Sequence, residues 1–250
     1  MIFQAGSSAG RAGRPRQPIT NFPVRSSQAP AARDGRITGR AARGGAACRQ
    51  VTPRHERACG HGPAAPGHDW RVPLFAFEGR EPEVSPAAWV APTATLVGDV
   101  HVEAEASIWY GVVLRADFGP IIVRRGANVQ DGSVLHGGSD PATEVGEGAT
   151  VGHLCVVHGA VVGAEALVGN GATVLDGATI GRRALVAAGA TVPPGMAIPG
   201  GMLAAGVPAR VVGEVSGDAR QWVETNPEIY RDLARRHAAG ARPVTGPGSP

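Results

Sequence analysis

Three histidines, His136, His153 and His158, lie within 23 residues of one another. Neutral imidazoles are suited to zinc, with iron or cobalt as alternatives. Three protein ligands leave one coordination position open, which is typical of a catalytic zinc site rather than a structural one. The sequence therefore predicts a metal site, provided that the fold brings three such side chains together.

A six-residue repeat determines where these histidines point. Aliphatic anchor residues recur every six positions from Val90 to Ala204, with three extra residues after Leu114, four after Leu135 and one fewer after Val157. A small residue follows most anchors by four positions. One hexapeptide cannot bury its apolar side, but stacked copies share a continuous core. The pattern predicts an all-β solenoid with three short faces per turn and about six coils.

The repeat places two of the histidines in one outward column. His136 and His158 each follow an anchor on the same face of successive coils, and Arg115 holds that position one coil earlier. Neighbouring coils are about 4.8 Å apart, so two stacked imidazoles can share one ion. His153 instead leaves a different face, in one column with Asp131. A neighbouring copy could supply the third ligand, and three such contacts would close a ring, which predicts a homotrimer with threefold symmetry.

The chain divides into four segments by composition. Residues 1–71 are an Arg-rich leader that we expect to be disordered, either as a transit peptide or as an over-called upstream start. Residues 72–212 form the solenoid domain, which begins with an initial strand over 72–82. Residues 213–240 show apolar positions near a helical period, which predicts one C-terminal amphipathic helix packed along the solenoid. Residues 241–250 are expected to be a loose tail.

Charge and cysteine content exclude several classes of function. The chain has 24 Lys+Arg and 21 Asp+Glu residues. Residues 1–67 have a net charge of +9 (11 Arg, 2 acids) and the remainder −6 (13 Arg, 19 acids). The acidic body argues against a nucleic-acid surface. No apolar run approaches the roughly 20 residues that span a membrane. The three cysteines form no disulfide framework, and Cys155 falls on an inward position; we expect a cytoplasmic protein.

Four segments resemble the gamma-class carbonic anhydrases: LRADFGPI (Leu114–Ile121), NVQDGSVLH (Asn128–His136), VGHLCVVHG (Val151–Gly159) and GVPARVV (Gly206–Val212). The resemblance covers roughly residues 74–237. It implies a left-handed parallel β-helix, a homotrimer, and carbon dioxide and bicarbonate as the partners of a zinc-dependent lyase. Left-handed crossovers break the usual rule, so the handedness comes from the resemblance alone.

The resemblance also implies a role for individual residues. His136, His153 and His158 bind the metal across the trimer interface, and Arg115 with Asp117 orders that interface. Gln130 is similar to the residue that hydrogen-bonds the metal-bound water, and Asn128 and Asp131 belong to the same motif. Tyr230 resembles the tyrosine of the C-terminal helix that approaches the site.

The sequence departs from the best-characterised branch of that family at the position after Asp117. That branch has an acidic residue there and a long acidic loop that moves protons, whereas this chain has Phe118 and the short loop GGSDPATE after His136. Glu144 and Asp140 are the nearest acidic substitutes. Hydration of carbon dioxide needs such a route, because the site must shed a proton.

Two other functions stay open at this point. A hexapeptide acyltransferase or thioesterase acting on an acyl thioester shares the solenoid but typically uses one catalytic histidine. A non-catalytic, metal-binding assembly protein would account for the missing proton-transferring acid.

Overall fold

The computed structural model describes residues 72–138 and 141–244. The predicted leader over 1–71, residues 245–250 of the predicted tail and Asp140 lie outside these ranges.

The described chain forms twenty strands and one helix. The strands are β1 (Leu74–Phe75), β2 (Glu83–Val84), β3 (Trp89–Val90), β4 (Thr95–Val102), β5 (Ser107–Ile108), β6 (Val113–Val123), β7 (Asn128–Val129), β8 (Val134–His136), β9 (Thr143–Val145), β10 (Thr150–Val151), β11 (Val156–His158), β12 (Val161–Val162), β13 (Leu167–Val168), β14 (Thr173–Val174), β15 (Thr179–Ile180), β16 (Leu185–Val186), β17 (Thr191–Val192), β18 (Ala197–Ile198), β19 (Met202–Ala205) and β20 (Arg210–Glu214). Helix α1 follows at Gly217–Gly240.

Parallel pairing stacks these strands into the three faces of a left-handed β-helix. Face 1 has the order β1-β4-β6-β8-β11-β14-β17, and face 2 the order β2-β4-β6-β9-β12-β15-β18. Face 3 has the order β3-β5-β7-β10-β13-β16-β19, to which β20 adds antiparallel. Each face therefore contains seven parallel strands. The structure has one more coil than the repeat predicts, because β1 and β2 precede Val90, whereas the predicted initial strand over 72–82 contains only β1.

Faces 1 and 2 share two long strands. β4 and β6 each pair along face 1 and then, after a register shift, along face 2, so the two faces form one 12-stranded sheet. The three extra residues after Leu114 are absorbed in β6, which carries Arg115, Asp117 and Phe118. This long strand places the Arg-x-Asp segment beside the strand that carries His136.

The core confirms the predicted register of the repeat. Every anchor from Leu96 to Ala204 is buried, as are the small residues four positions later. Cys155 is one of these small residues and is 1% exposed. Only the first anchor, Val90, is half-buried. The polar columns, including the histidines, are therefore fixed on the outside by the burial of the anchors.

Helix α1 packs against face 3 and confirms the predicted C-terminal helix. An aromatic cluster fastens it: Tyr230 packs edge-on to Trp109 at 5.2 Å, and His237 packs on Trp89 at 5.4 Å between ring centroids. The Tyr110 hydroxyl lies 3.0 Å from His237 Nδ1. No helix within 72–138 and 141–244 is long and apolar enough to cross a membrane.

Candidate metal centre

His136 and His158 face each other on adjacent strands of face 1. β8 and β11 pair in parallel with His136 directly opposite His158, and β6 places Arg115 opposite His136. His136 Nδ1 lies 2.8 Å from His158 Nε2, and the ring centroids are 4.7 Å apart. The column that the repeat predicts is therefore present, with one ring nitrogen of each histidine directed at the other.

A carboxylate orients the outer nitrogen of His136. Asp117 Oδ1 lies 2.7 Å from His136 Nε2, and Arg115 forms an ion pair with the same carboxylate. Partial desolvation raises the pKa of Asp117, but hydrogen bonds from His136 and Arg115 outweigh it and leave that pKa below its usual value. The ionised carboxylate can only accept, so His136 donates from Nε2 and its Nδ1 is left for another partner.

A second carboxylate, which the sequence did not single out, contacts His158. Asp176 Oδ1 lies 2.7 Å from His158 Nδ1. Asp176 follows β14, whose Val174 pairs with Val157, so it sits at the next corner above the histidine column. The signal that could have found it is its place two residues past an anchor, one coil beyond His158.

His153 lies at the corner after β10, away from the other two histidines. Its Nδ1 lies 2.9 Å from Asp131 Oδ2, which confirms that these two residues share a column. Its Nε2 lies 3.3 Å from the Tyr230 hydroxyl on α1. Burial, with a smaller contribution from the charge of Asp131, raises the pKa of Tyr230 to about 12. The neutral phenol can therefore donate to Nε2 while Nδ1–H donates to Asp131.

The three histidines and the side chains that contact them therefore fall into two groups. The paired-histidine half-site comprises Arg115, Asp117, His136, His158 and Asp176. The single-histidine half-site comprises Asp131, His153 and Tyr230. In the part of the chain that the structure describes, no three His, Cys, Asp or Glu side chains come together with spacing that would hold a metal ion.

Gln130 and Asn128 lie in a buried polar network beside the single-histidine half-site. Gln130 Nε2 donates to Asn128 Oδ1 at 3.0 Å, and Asn128 Nδ2 donates to Thr150 Oγ1 at 2.9 Å. Asn226 of α1 reaches the same hydroxyl at 3.3 Å. Among the described residues, no hydrogen bond joins Gln130 to any of the three histidines. The implied role of Gln130 and Asn128 at the metal stays a prediction.

The position where an acidic residue was expected is apolar and exposed. Phe118 is 75% exposed and packs edge-on against His136, with 5.7 Å between ring centroids. Glu144, the described acidic substitute, lies instead on face 2, where Arg124 Nε donates to it at 2.9 Å. Arg124 holds Glu103 at the same time, at 2.9 Å. Glu144 is therefore occupied by an ion pair away from the histidines.

The hexapeptide repeat of this chain is similar to that of known proteins. A family model described as "Bacterial transferase hexapeptide (six repeats)" matches residues 159–194. The carnitine operon protein CaiE of Escherichia coli O1:K1 is 45% identical over 166 residues, which cover 66% of this chain and 85% of CaiE. The chain belongs to the hexapeptide-repeat, left-handed β-helix family that includes CaiE.

Two solved structures of this family share the fold closely. A hexapeptide transferase family protein from Anaplasma phagocytophilum is 35% identical, with a TM-score of 0.63, over 66% of this chain and 97% of that protein. An acetyltransferase candidate from Bacillus cereus is 33% identical, with a TM-score of 0.65, over 66% and 96% of the two chains. The resemblance is thus confirmed for the repeat family; none of these three relatives is named as a carbonic anhydrase.

Proposed function

We propose that this family member is a metal-dependent enzyme of the gamma carbonic anhydrase type, which catalyses the reversible hydration of carbon dioxide. The observation that carries the proposal is the approach of His136 Nδ1 and His158 Nε2 to 2.8 Å on paired strands. Zinc–imidazole bonds are about 2.0–2.1 Å long, so a shared ion needs only a small separation of the two rings. Two nitrogen donors directed at one point fit zinc, iron or cobalt.

The third ligand is His153 of a neighbouring copy in a homotrimer. His153 leaves the protein at a different corner from the paired histidines and cannot complete their site within the described chain. Threefold symmetry repeats one contact three times and closes the ring, giving one site at each interface. Each site then takes its paired-histidine half-site from one protomer and its single-histidine half-site from the next.

Exposed apolar residues beside the paired histidines support this interface. Val134 and Val156 precede the anchors of β8 and β11 on face 1 and are 39% and 38% exposed. Leu154, at the corner before β11, is 72% exposed, and Phe118 lies on the other side of His136. Contiguous apolar surface of this kind marks interaction sites, because it costs free energy in water.

The chain's own residues orient the ligands. Asp117 and Asp131 accept the N–H groups of His136 and His153, which fixes the tautomers and raises the basicity of the inward nitrogens. In spite of its partial desolvation, hydrogen bonds from His136 and Arg115 lower the pKa of Asp117. A zinc ion held by His136, His153 and His158 would supply a Lewis acid able to lower the pKa of water to about 7.

A second function, acyl transfer or hydrolysis of an acyl thioester, has its own support. The names of the transferase relatives favour it more directly than they favour carbon dioxide hydration. His153 with Asp131 on Nδ1 is also an arrangement suited to a general base in one chain. The exposed ring of Phe118 offers apolar surface where carbon dioxide hydration would use a proton-transferring acid.

Metal analysis and two assays on one sample separate these functions. The protein is purified anaerobically, its metal is quantified, and carbon dioxide hydration and acyl-CoA turnover are measured with His136→Ala and the control His101→Ala. About one metal per chain, with hydration lost only in His136→Ala, would support the lyase. Bound metal with thioester turnover but no hydration would replace it with the second function. Wild-type protein without metal would contradict the proposed site.

A further inference from the structure

Asp176 lies outside the four segments that resemble the gamma-class carbonic anhydrases, but its side chain contacts His158 of the proposed metal site. It lies at the corner after β14, with its Oδ1 2.7 Å from His158 Nδ1. Its side chain is 61% exposed, and within the described residues His158 is its one salt-bridge partner. The carboxylate is therefore directed at His158 rather than engaged in an arginine ion pair.

Gly159 provides the space that this contact needs. Gly159 has a φ of +52°, and a Cβ at this position would lie 2.6 Å from Asp176 Oδ1. A larger residue would therefore push the carboxylate away from His158. The backbone N–H of Gly177 donates to the Gly159 carbonyl at 2.7 Å and holds the two corners together. The missing side chain at Gly159 is a second observation that fits the same contact.

We propose that Asp176 is a positioning residue of the metal site. It accepts Nδ1–H from His158, which leaves Nε2, 2.8 Å from His136 Nδ1, as the nitrogen that would bind the metal. Carboxylates on the outer nitrogen of a ligating histidine fix its tautomer and increase its basicity. Asp117 and Asp131 do the same for His136 and His153, so all three ligands have their own carboxylate. This inference rests on the proposed metal site.

A purely structural role for Asp176 predicts a different outcome. An exposed ion pair stabilises a fold by about 0–1 kcal/mol at most, so removing the carboxylate should scarcely change stability. Loss of a carboxylate behind a metal ligand instead weakens metal binding by about 10–100-fold. Metal affinity and thermal stability therefore distinguish the two roles.

The experiment compares Asp176→Ala, Asp176→Asn and the control Asp232→Ala, an exposed aspartate on α1. Zinc affinity is measured on the full chain by competition with a chromogenic chelator, and Tm is measured on metal-free protein. We expect Asp176→Ala to bind zinc about 10–100-fold more weakly with an unchanged Tm. Asp176→Asn should recover most of the affinity, because its amide oxygen still accepts Nδ1–H. Asp232→Ala should match the wild type.

A tautomer measurement on metal-free protein gives a second readout. Nitrogen-15 chemical shifts should show a proton on Nδ1 of His158 in the wild type and a partial loss of that proton in Asp176→Ala. Wild-type zinc affinity in Asp176→Ala, with zinc still lost in His136→Ala, would overturn the role of Asp176 alone. An equal loss in the Ala and Asn variants with a lowered Tm would also overturn it. Wild-type protein that binds no zinc would overturn the proposed function together with it.

Discussion

The two half-sites are built from different kinds of structure. The paired-histidine half-site lies on β6, β8 and β11, where strand register alone brings Arg115, His136 and His158 into one column. The single-histidine half-site lies at a corner of the coil, and its tyrosine comes from α1, 77 residues later in the chain. A repeat can therefore stack donors on one face by itself, but donors on different faces come together only through assembly.

The half-sites also differ in how their inward nitrogens are occupied. His136 Nδ1 and His158 Nε2 face each other, whereas His153 Nε2 faces the hydroxyl of Tyr230. An ion between the paired histidines would replace the 2.8 Å hydrogen bond that the two proposed ligands make with each other. At His153, metal binding would instead displace a hydrogen bond to Tyr230, which is not a proposed ligand. The comparison predicts unequal effects of substitution on the two sides.

The largest effect on zinc binding is expected for His153, the one ligand that the neighbouring protomer would supply. His153→Ala should weaken zinc binding by more than about 100-fold, beyond the range of outer carboxylates, although the paired histidines are intact. Metal content and chelator competition on purified trimers provide the measurement. His101→Ala, which removes a surface histidine held by Glu83 and Asp99 on face 2, is the control. Full metal retention in His153→Ala would contradict the shared site.

The next substitution disrupts the proposed interface without changing a residue of either half-site. Val156→Glu should convert the trimer to monomers and release the metal, because a carboxylate buried in an interface costs several kcal/mol. Sedimentation and metal analysis test both consequences. Thr179→Glu, at the matching strand position on face 2, is the control and should stay trimeric. A trimer of Val156→Glu would show that face 1 is not the interface.

A smaller effect is expected for the tyrosine that contacts His153. Tyr230→Phe should tighten zinc binding about 2–10-fold, since one hydrogen bond contributes about 0.5–1.5 kcal/mol net. With its pKa raised to about 12, Tyr230 stays protonated from pH 6 to 9, so the effect should not change with pH over that range. Tyr110→Phe removes a hydroxyl from the same aromatic cluster and is the control. Weaker binding in Tyr230→Phe would mean that the hydroxyl supports the site instead.

The smallest effect on the site is expected for the buried thiol. Cys155→Ser should change zinc affinity by no more than about twofold, because Cys155 points into the core. Burial raises the pKa of the Cys155 thiol from 9.0 to about 11. The folded state thus favours the protonated thiol, a contribution that is complete below pH 9 and lost as the pH rises through about 11. Cys155→Ser should lose this alkaline dependence of the unfolding free energy. Loss of zinc binding in Cys155→Ser would contradict the register of the repeat, which places Cys155 in the core.

The repeat allowed much of the fold to be predicted, because each buried anchor determines whether the neighbouring side chains point into the core or outward. Leu135 and Val157 are buried and paired, so His136 and His158 had to emerge together. Cys155 was placed inside for the same reason. The count of coils was one short, because the predicted repeat began at Val90, whereas β1 and β2 already belong to the stack before it.

The contacts that the sequence could not predict are those made at corners and by the helix. The position of Tyr230 against His153 depends on how α1 packs on Trp109, which no hexapeptide count describes. Asp176 reaches His158 only because Gly159 leaves space between coils. Both of these contacts depend on side-chain packing rather than on the period of the repeat. Glu144 was expected near the site, but it precedes Val145, an anchor of face 2, and pairs there with Arg124.

Mixed trimers test most directly whether one site is shared by two protomers. Differently tagged His153→Ala and His136→Ala chains are co-expressed, and trimers carrying both tags are isolated for metal analysis. Each homotrimer should lack metal, because one half-site is damaged at every interface. Every mixed trimer has one interface that joins an intact pair to an intact His153, so we expect about one metal ion per mixed trimer. Mixed trimers as empty as the parents would contradict the shared site.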